Sequence, residues 1–277
     1  MPETKKQLKF GLIGSSLSHS KSYKIQNAAF EKLGIEASYE NFEIDVNNFD
    51  RAIIELLQKV DGLNITIPFK EKILKYLNRA EELVNRIGAA NTVHINEMGI
   101  AGYNTDYYGF IDSIKNLGDM SEKKVALLGA GGAAKALLVA LEDLSVKDIN
   151  IYARNITKVE ENLPKFLKSI TEVQLLTEVT NFEDYDLLIN TTPLGQGRLS
   201  NEMPVTYAVL ETLPKCATVY DLIYNDTNLI KAAQELGINT INGKEMLVRQ
   251  AMHSIKHWTA QDVPEDVYEE MSKAFDE

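Results

Sequence analysis

The sequence has 277 residues, enough for one large domain or two moderate ones with a sizeable core. Apolar residues make up 44% and charged residues 25% of the chain, which is typical of a globular protein that dissolves in water. The net charge of -11 argues against a nucleic-acid partner, because phosphates require a basic surface.

The sequence also argues against membrane, disulfide and metal-centred classes. No apolar run approaches the roughly 20 residues that span a bilayer, and the polar start MPETKKQLKF does not resemble a signal peptide. Cys216 is the only cysteine, which excludes an intrachain disulfide and a cysteine-built metal site. The four histidines form no metal-binding pattern. We therefore expect a cytoplasmic protein without a metal or a membrane anchor.

In chain order, strand-like and helical patterns alternate from the start. The apolar run Leu8–Ile13 predicts a strand, and Ser22–Leu33 has helical spacing that ends at Gly34, a residue suited to a helix C-terminus. The next elements are predicted as a strand, a helix and a strand at Ser38–Ile44, Asn47–Val60 and Gly62–Ile67. This βαβ rhythm favours a mainly parallel sheet covered by helices.

The rhythm restarts after residue 106 with the buried-strand pattern KVALLG and a helix at Ala133–Leu144. Further strands are predicted at Lys123–Leu128, Asp148–Ala153, Tyr185–Asn190, Ala217–Leu222 and Ile238–Ile241. Two such blocks predict an α/β protein of two domains with a cleft between them. The last predicted element is a helix at Lys244–Trp258, which the sequence alone does not assign to either domain.

A glycine-rich loop joins the strand KVALL to its helix. Gly129, Gly131 and Ala134 fit the spacing GxGxxG/A, with Ala130, Gly132 and Ala133 between them. Small residues allow a tight turn and let backbone N–H groups reach a pyrophosphate at the helix N-terminus. A bare match of this kind is also compatible with a structural turn, but the strand–loop–helix context favours a dinucleotide site.

The end of the next strand indicates which dinucleotide binds. NAD sites carry an acidic residue about 20 positions after the glycine loop. Here the strand INIYA ends in Ala153, Arg154 and Asn155, with Lys158 one turn later. A planar guanidinium at Arg154 can pair with a 2′-phosphate, so the sequence predicts NADP as the cofactor. The alternative is a solvated loop arginine.

Four short segments place polar side chains where strands end. The stretch NITIPFKEK ends a strand at Pro68 and sets Lys70 two residues beyond it. The other segments are SHSKS, AANT and GYNTD, and the candidates are Ser20, Ser22, Asn64, Thr66, Lys70, Asn91 and Asp106. Taken singly, each has another explanation, such as a helix cap, a turn residue or a surface lysine.

Together these segments carry a clear resemblance. The motifs LSHSKS, NITIPFKE, AANTV, GYNTDYYG, LGAGGAA, INTTPLG, YDLIYN and NGKEMLVRQA follow one another along the chain. In this order they resemble the shikimate dehydrogenases, from one end of the chain nearly to the other. The resemblance implies an N-terminal α/β substrate domain, residues 1–106 completed by 243–277, and a Rossmann-type NADP-binding domain, residues 107–242.

The resemblance also implies roles for individual residues. Lys70 and Asp106 match the catalytic dyad, and Ser20 and Ser22 match the pair that binds the shikimate carboxylate. The other substrate-binding residues it implies are Asn64, Thr66, Asn91, Tyr224 and Gln250. The cofactor-binding residues it implies are Gly129, Ala130, Gly131, Gly132, Ala133, Arg154, Lys158, Thr191, Leu222 and Gly243.

Three positions depart from the family pattern. Tyr23 follows the second serine where proline is frequent, and Tyr107 follows NTD where glycine is usual. Ala153 replaces the asparagine of an Asn-Arg-Thr signature, which removes a possible hydrogen bond to the nucleotide without creating an NAD site.

The expected reaction is the reversible reduction of 3-dehydroshikimate to shikimate by NADPH, with proton transfer at Lys70 and Asp106. We expect small-molecule partners only, and a monomer or a homodimer. One alternative is a quinate/shikimate dehydrogenase of broader substrate or NAD use. The other is a dinucleotide-binding sensor without catalysis, which the presence of both Lys70 and Asp106 disfavours.

Overall fold

The computed structural model describes residues 7–277, and the chain divides into two compact units. One unit contains the chain up to Gly109 together with Leu247–Glu277, and the other is Phe110–Met246. The predicted domain borders, at residues 106/107 and 242/243, and the predicted cleft stay predictions. The polar start of the chain, in which we expect no signal peptide, lies outside the described residues for positions 1–6.

The first unit is built on a mixed sheet whose strands run in the order β2-β1-β3-β5-β6-β4. Its strands are β1 (Leu8–Gly14), β2 (Ala37–Glu43), β3 (Gly62–Ile65), β4 (Arg79–Ala80), β5 (Thr92–Asn96) and β6 (Gly99–Tyr103). Strand β1 pairs in parallel with β2 and β3, whereas β5 is antiparallel to both β3 and β6. The carboxyl ends of β1 and β3 therefore meet at one edge of the sheet.

The helices of the first half of the chain are α1 (Ser22–Leu33), α2 (Phe49–Leu56), α3 (Glu82–Ile87) and α4 (Thr105–Ile114). The predicted helix at Ser22–Leu33 is confirmed, and Gly34 ends it with a φ of 64°, the left-handed conformation that glycine adopts without strain.

The predicted helix at Asn47–Val60 was too long, since α2 ends at Leu56. Leu57 and Val60 are buried at a helical spacing, which made the helix look longer than it is. The backbone leaves the helix there, because the amide of Lys59 donates to the carbonyl of Leu56 over 2.9 Å in a tight turn. The predicted strand at Gly62–Ile67 also ends earlier, at Ile65, because Thr66 begins another turn.

The second unit contains a sheet in which every pairing is parallel, with the order β12-β11-β10-β7-β8-β9. Its strands are β7 (Lys124–Leu128), β8 (Asp148–Ala153), β9 (Glu172–Leu175), β10 (Leu187–Asn190), β11 (Thr218–Asp221) and β12 (Asn239–Asn242). Its helices are α5 (Gly132–Asp143), α6 (Ile156–Asn162), α7 (Tyr207–Leu210) and α8 (Asn228–Glu235). With β7 as the first strand, this is the Rossmann strand order, and its switch point lies between β7 and β10.

Two C-terminal helices, α9 (Lys244–Thr259) and α10 (Glu265–Asp276), complete the described chain. Trp258 of α9 donates from its indole to the Val93 carbonyl over 2.9 Å and stacks on Phe10 with 4.4 Å between ring centroids. A Cβ at Gly62 would lie 2.5 Å from the same indole nitrogen, so this glycine lets α9 approach the first sheet. Helix α10 packs against α1. The predicted α/β class with mainly parallel sheets is confirmed.

Candidate active site

Lys70 stands on a rigid support at the end of β3. Phe69 is fully buried and stacks on Phe49 with 4.4 Å between ring centroids. The Lys70 carbonyl accepts a hydrogen bond from the Ala90 amide over 2.9 Å. The backbone of Lys70 is thus held on both sides, and only its side chain extends from the fold. The buried phenylalanine directly before the lysine supplies one of these two supports.

The amine of Lys70 contacts the carboxylate of Asp106, with 2.5 Å between Nζ and Oδ2. The two side chains are 21% and 15% exposed, so each is partly shielded while keeping a face toward solvent. Asp106 lies in the first turn of α4, where the helix dipole favours a negative charge. The predicted dyad partners are therefore in contact.

Asn91 fixes the other carboxylate oxygen of Asp106. Its Nδ2 atom donates to Asp106 Oδ1 over 2.9 Å, and its Oδ1 atom accepts from the Thr105 backbone amide over 2.7 Å. Because a backbone N–H cannot accept, this second bond determines which way the Asn91 amide faces. The same Nδ2 atom lies 3.4 Å from Oε1 of Gln250, whose own Nε2 donates to the Leu247 carbonyl over 2.8 Å.

Three buried hydroxyl groups lie behind this arrangement, and no role was predicted for them from the sequence. Thr92, Thr105 and Ser254 are each 0% exposed. Their oxygens form a triangle with sides of 3.2 Å, 2.9 Å and 3.2 Å. We call these three residues the hydroxyl cluster. The sequence contains two signals that could have identified them. Thr92 and Thr105 belong to the motifs AANTV and GYNTD, and Ser254 lies one turn after Gln250 on α9.

Asn64 anchors the far side of the hydroxyl cluster. Its Nδ2 atom donates to Ser254 Oγ over 2.9 Å and to Thr92 Oγ1 over 3.0 Å, and its Oδ1 atom accepts from Tyr39 Oη over 2.8 Å. Asn64 is 5% exposed, so these protein contacts favour a role in holding the cluster. Contact between Asn64 and substrate stays a prediction. Burial holds the pKa of Tyr39 well above its usual range, so this phenol is a neutral donor.

The two serines of the SHSKS segment lie where α1 begins. Ser20 Oγ accepts from the Ser22 backbone amide over 3.2 Å, and Ser22 is the first residue of α1. Thr66 follows β3, and its amide donates to the Ile13 carbonyl of neighbouring β1 over 2.8 Å. Thr66 therefore lies on the edge where β1 and β3 end in parallel. Ligand contact by Ser20, Ser22 and Thr66 stays a prediction.

The glycine loop of the second unit borders a pocket of about 420 Å³. The predicted residues that line it are Gly129, Ala130, Gly131, Arg154, Lys158 and Thr191. Gly132 and Ala133 follow directly as the first residues of α5. A Cβ at Gly131 or Gly132 would meet no protein atom within 4 Å, so both face open space. This open cradle at a helix N-terminus fits the pyrophosphate of a dinucleotide.

The residues that follow β8 in the chain form the cationic side of the pocket. Arg154 and Lys158 are exposed, and no acidic residue lines the pocket with them. Asn155 Oδ1 accepts from the Lys158 amide over 3.2 Å and starts α6, while Asn162 Nδ2 donates to the Ala130 carbonyl over 3.2 Å. Helix α6 is therefore tied to the glycine loop. The residues present fit a nucleotide that carries a 2′-phosphate.

The remaining predicted residues of the second unit lie at other strand ends. Gly243 follows β12, and a Cβ there would collide with the Leu222 carbonyl just after β11. Leu222 and Gly243 thus contact each other and lie outside the wall of the dinucleotide pocket. Tyr224 is half-buried, and burial raises the pKa of its phenol. A substrate contact by Tyr224 stays a prediction.

Residues 7–277 contain neither a metal-binding cluster nor a membrane-spanning helix. Among these residues no group of three or more histidine, cysteine, aspartate or glutamate side chains could hold a metal ion. Over the same part of the chain, no helix combines the length and the apolar character that crossing a bilayer requires.

Comparison with known proteins places both units. Residues 12–93 match the family described as the shikimate dehydrogenase substrate binding domain, and residues 113–227 match the family described as shikimate / quinate 5-dehydrogenase. A curated relative from Caldanaerobacter subterraneus subsp. tengcongensis, named shikimate dehydrogenase (NADP(+)), is 39% identical over 271 residues and 95% of each chain.

Solved structures give the same result. A chorismate mutase/shikimate 5-dehydrogenase fusion protein from Clostridium acetobutylicum superposes with a TM-score of 0.89 at 33% identity, over 98% of each chain. The shikimate 5-dehydrogenase of Thermus thermophilus, solved in complex with NADP(H) and shikimate, superposes with a TM-score of 0.84 at 27% identity, over 97% of this chain and 98% of that one.

Proposed function

The chain belongs to the shikimate dehydrogenase family, and from that premise we propose that it is an NADP-dependent oxidoreductase that interconverts 3-dehydroshikimate and shikimate. This reaction is a step of aromatic amino acid (chorismate) biosynthesis. The observation that carries the proposal is the contact of Lys70 with Asp106 at 2.5 Å on a rigid support. A dinucleotide-binding sensor without catalysis would have no need of this pair.

In the proposed mechanism Lys70 is the group that donates the proton and, in the reverse direction, accepts it. When bound, NADPH supplies the hydride that reduces the C3 carbonyl of 3-dehydroshikimate. The carbonyl oxygen gains negative charge as this happens, so a proton donor beside it lowers the barrier. A lysine side chain carries a proton at neutral pH and can give it to that oxygen. In the direction of shikimate oxidation, the same amine takes the proton back.

Asp106 keeps the lysine in place and provides a second contact to substrate. Its Oδ2 atom holds the amine at 2.5 Å, and Asn91 holds its Oδ1 atom at 2.9 Å. A carboxylate fixed in this way can accept a hydrogen bond from a ring hydroxyl adjacent to the reacting carbon. Asn91, Thr66 and Gln250 are the proposed additional partners of the ring hydroxyls.

Ser20 and Ser22 are the proposed partners of the substrate carboxylate. Support comes from their position at the start of the 12-residue helix α1, where unpaired backbone N–H groups and the helix dipole favour an anion. The proposed contacts of the NADP 2′-phosphate are Arg154 and Lys158, which line the pocket beside the glycine loop without an acidic neighbour in its wall.

The proposal also assigns each part of the chain. Residues 1–106 with 243–277 would form the substrate domain, and residues 107–242 the NADP-binding domain. The enzyme would act in the cytoplasm as a monomer or homodimer with small molecules as its partners. Light scattering of the purified protein measures the oligomeric state, and a larger assembly would contradict this part of the proposal.

A substrate panel tests the proposed activity. Shikimate and quinate are each assayed with NADP and with NAD, and the absorbance of the reduced nicotinamide reports turnover. We expect the highest kcat/KM for shikimate with NADP. A preference for quinate with NAD would favour the broader quinate/shikimate dehydrogenase. Tight NADP binding without turnover of either substrate would favour the sensor and overturn the proposal.

A further inference from the structure

Asp221 is a buried carboxylate that the proposed mechanism does not use. It ends β11 and is 0% exposed. Its Oδ1 atom accepts from the Ile223 amide over 3.0 Å and from Asn190 Nδ2 over 3.0 Å, and its Oδ2 atom accepts from Thr227 Oγ1 over 2.7 Å. Burying an aspartate is costly without such bonds. Burial raises the pKa of this carboxyl to about 6 even though the three donors act to lower it.

Asn190 connects Asp221 to a loop of the dinucleotide pocket. It ends β10 and is 0% exposed. Its Oδ1 atom accepts from the Thr192 amide over 3.0 Å and from Thr192 Oγ1 over 2.7 Å. The Thr192 hydroxyl in turn accepts from the Leu194 amide over 3.3 Å. The segment Thr191–Leu194, which we call the threonine loop, is therefore organised around one amide side chain.

Asp221 and the Thr192 backbone amide together determine which way that amide faces. A carboxylate can only accept hydrogen bonds, so it requires the NH₂ group of Asn190 on its side. The carbonyl oxygen of Asn190 must then face the threonine loop, which offers it two donors from Thr192. A reversed amide would set its oxygen against the Asp221 carboxylate and its NH₂ group against the Thr192 amide, and both contacts would be repulsive.

The threonine loop forms one wall of the dinucleotide pocket. Thr191, Thr192, Pro193 and Leu194 all line it. The loop also packs closely on the glycine loop, because Gly129 has a φ of 103° and a Cβ there would lie 2.8 Å from Thr191 Oγ1. A shift of this wall would therefore change the space beside the glycine loop.

We propose that Asp221 is a positioning residue of the dinucleotide pocket, which acts through Asn190 to hold the threonine loop in the shape that lines the pocket. The inference rests on the proposed function and deepens it, since the ligand of this pocket is the NADP of that proposal. Asp221 itself does not line the pocket.

Two variants of Asp221 separate orientation from charge. Asp221→Ala removes the carboxylate acceptor of the Asn190 NH₂ group, which then keeps only its longer contact of 3.4 Å to the Leu194 carbonyl. Asp221→Asn can present its carbonyl oxygen to Asn190 and Ile223 and its NH₂ group to the Thr227 hydroxyl, so it keeps the bonds without the charge. We expect Asp221→Ala to weaken NADP binding at least about ten-fold, the size expected when buried polar groups lose their partner. Asp221→Asn should stay within about three-fold of the unmodified protein.

Two measurements read the effect. Calorimetric titration with NADP gives Kd, and hydrogen exchange of the protein without NADP gives the protection of the Thr192 and Leu194 amides. Both amides should exchange faster in Asp221→Ala and normally in Asp221→Asn. The exchange result does not depend on activity or on NADP, so failure of the proposed function and failure of this inference are distinguishable.

Thr227→Val is the matched control, because it removes the other side-chain contact of Asp221 and leaves Asn190 untouched. Its methyl group beside Gly195 is kept. We expect this variant to lose thermal stability but to retain NADP affinity and the protection of the threonine loop. If Asp221→Ala does not fold, Thr192→Val tests the same link from the loop side and should weaken NADP binding. The inference would be overturned if Asp221→Ala, or Thr192→Val in its place, left both the Kd for NADP and the amide exchange unchanged. It would also be overturned if Thr227→Val lost as much NADP affinity and as much amide protection as Asp221→Ala.

Discussion

The Lys70 amine and the Asp106 carboxylate lie 2.5 Å apart although the two residues are 36 positions apart in the chain. Each comes from a different kind of support. Lys70 follows a strand and a buried phenylalanine, and Asp106 stands in the first turn of a helix. Because neither support can move without disturbing the core, the contact is fixed before any substrate binds. Such preorganisation is what lowers the barrier of a proton transfer.

The hydroxyl cluster predicts an effect of Thr92 on turnover. Thr92→Val keeps the shape but removes a hydroxyl that bonds Asn64 and Asn91, so the buried amides lose a partner. We expect kcat for shikimate to fall about ten-fold as the Asn91 contact with Asp106 loosens. Steady-state kinetics checks this. Thr92→Ser keeps the hydroxyl and should retain kcat, and equal kcat values for the two variants would show that the cluster only fills space.

The start of α1 predicts a binding role for Ser20. Ser20→Ala should raise the KM for shikimate about ten-fold with little change in kcat, since the proposed hydrogen bond to the bound carboxylate would be lost. The exposed Ser18 provides the matched control, and Ser18→Ala should leave KM unchanged. A drop in melting temperature with an unchanged KM would show instead that Ser20 serves only the helix end.

Arg154 predicts the preference between the two dinucleotides. Arg154→Gln should weaken NADP binding about ten-fold or more, because the proposed charged hydrogen bonds to the 2′-phosphate would be lost. NAD binding should not change, which makes the ratio of the two affinities the decisive quantity. Lys168→Gln removes an exposed charge from the same unit and is the control. Equal losses for NAD and NADP in Arg154→Gln would mean that Arg154 does not contact the 2′-phosphate.

Because His257 is partly buried, we expect the protein to lose stability in mild acid. Burial lowers the pKa of this histidine to about 4, and nearby His253, Lys256 and His94 act in the same direction. The unfolded chain takes up the proton near pH 6.5, whereas the folded chain does so only near pH 4, so stability falls as pH is lowered through this window.

His257→Phe keeps an aromatic ring against Tyr103, whose centroid lies 3.9 Å from that of His257, and it cannot take up a proton. Between pH 7 and pH 4.5 the melting temperature of both proteins is measured. We expect that of the unmodified protein to fall by about 3 °C or more beyond the fall seen in His257→Phe. If the melting temperatures of the two proteins change with pH by the same amount, His257 does not cause the loss of stability in acid.

Much of the fold could be predicted from local patterns. The run LKFGLIG and the helix that ends at Gly34 have the periods and the end signals that define β1 and α1. The glycine loop is also a local signal, since a strand, small residues and a helix follow one another directly. Periodicity reports burial rather than backbone hydrogen bonds, which is why the helix predicted to reach Val60 was too long.

Contacts between distant positions were not predictable in the same way. The hydroxyl cluster joins residues 92, 105 and 254, and no local pattern pairs them. The antiparallel pairing of β5 with β6 was not predicted, because a βαβ rhythm favours parallel strands. The Asp221–Asn190 contact joins the ends of two neighbouring parallel strands, so it follows from the sheet order and not from either segment alone.

The most direct test of the account is the turnover of Lys70→Ala with shikimate and NADP. Removing the proposed proton-transfer group should lower kcat about 10²- to 10⁴-fold and change KM far less, as for an interaction made mainly in the transition state. Lys72→Ala, two residues further on and exposed, should keep both constants. A kcat for Lys70→Ala within about three-fold of the unmodified enzyme would contradict the assignment of proton transfer to Lys70.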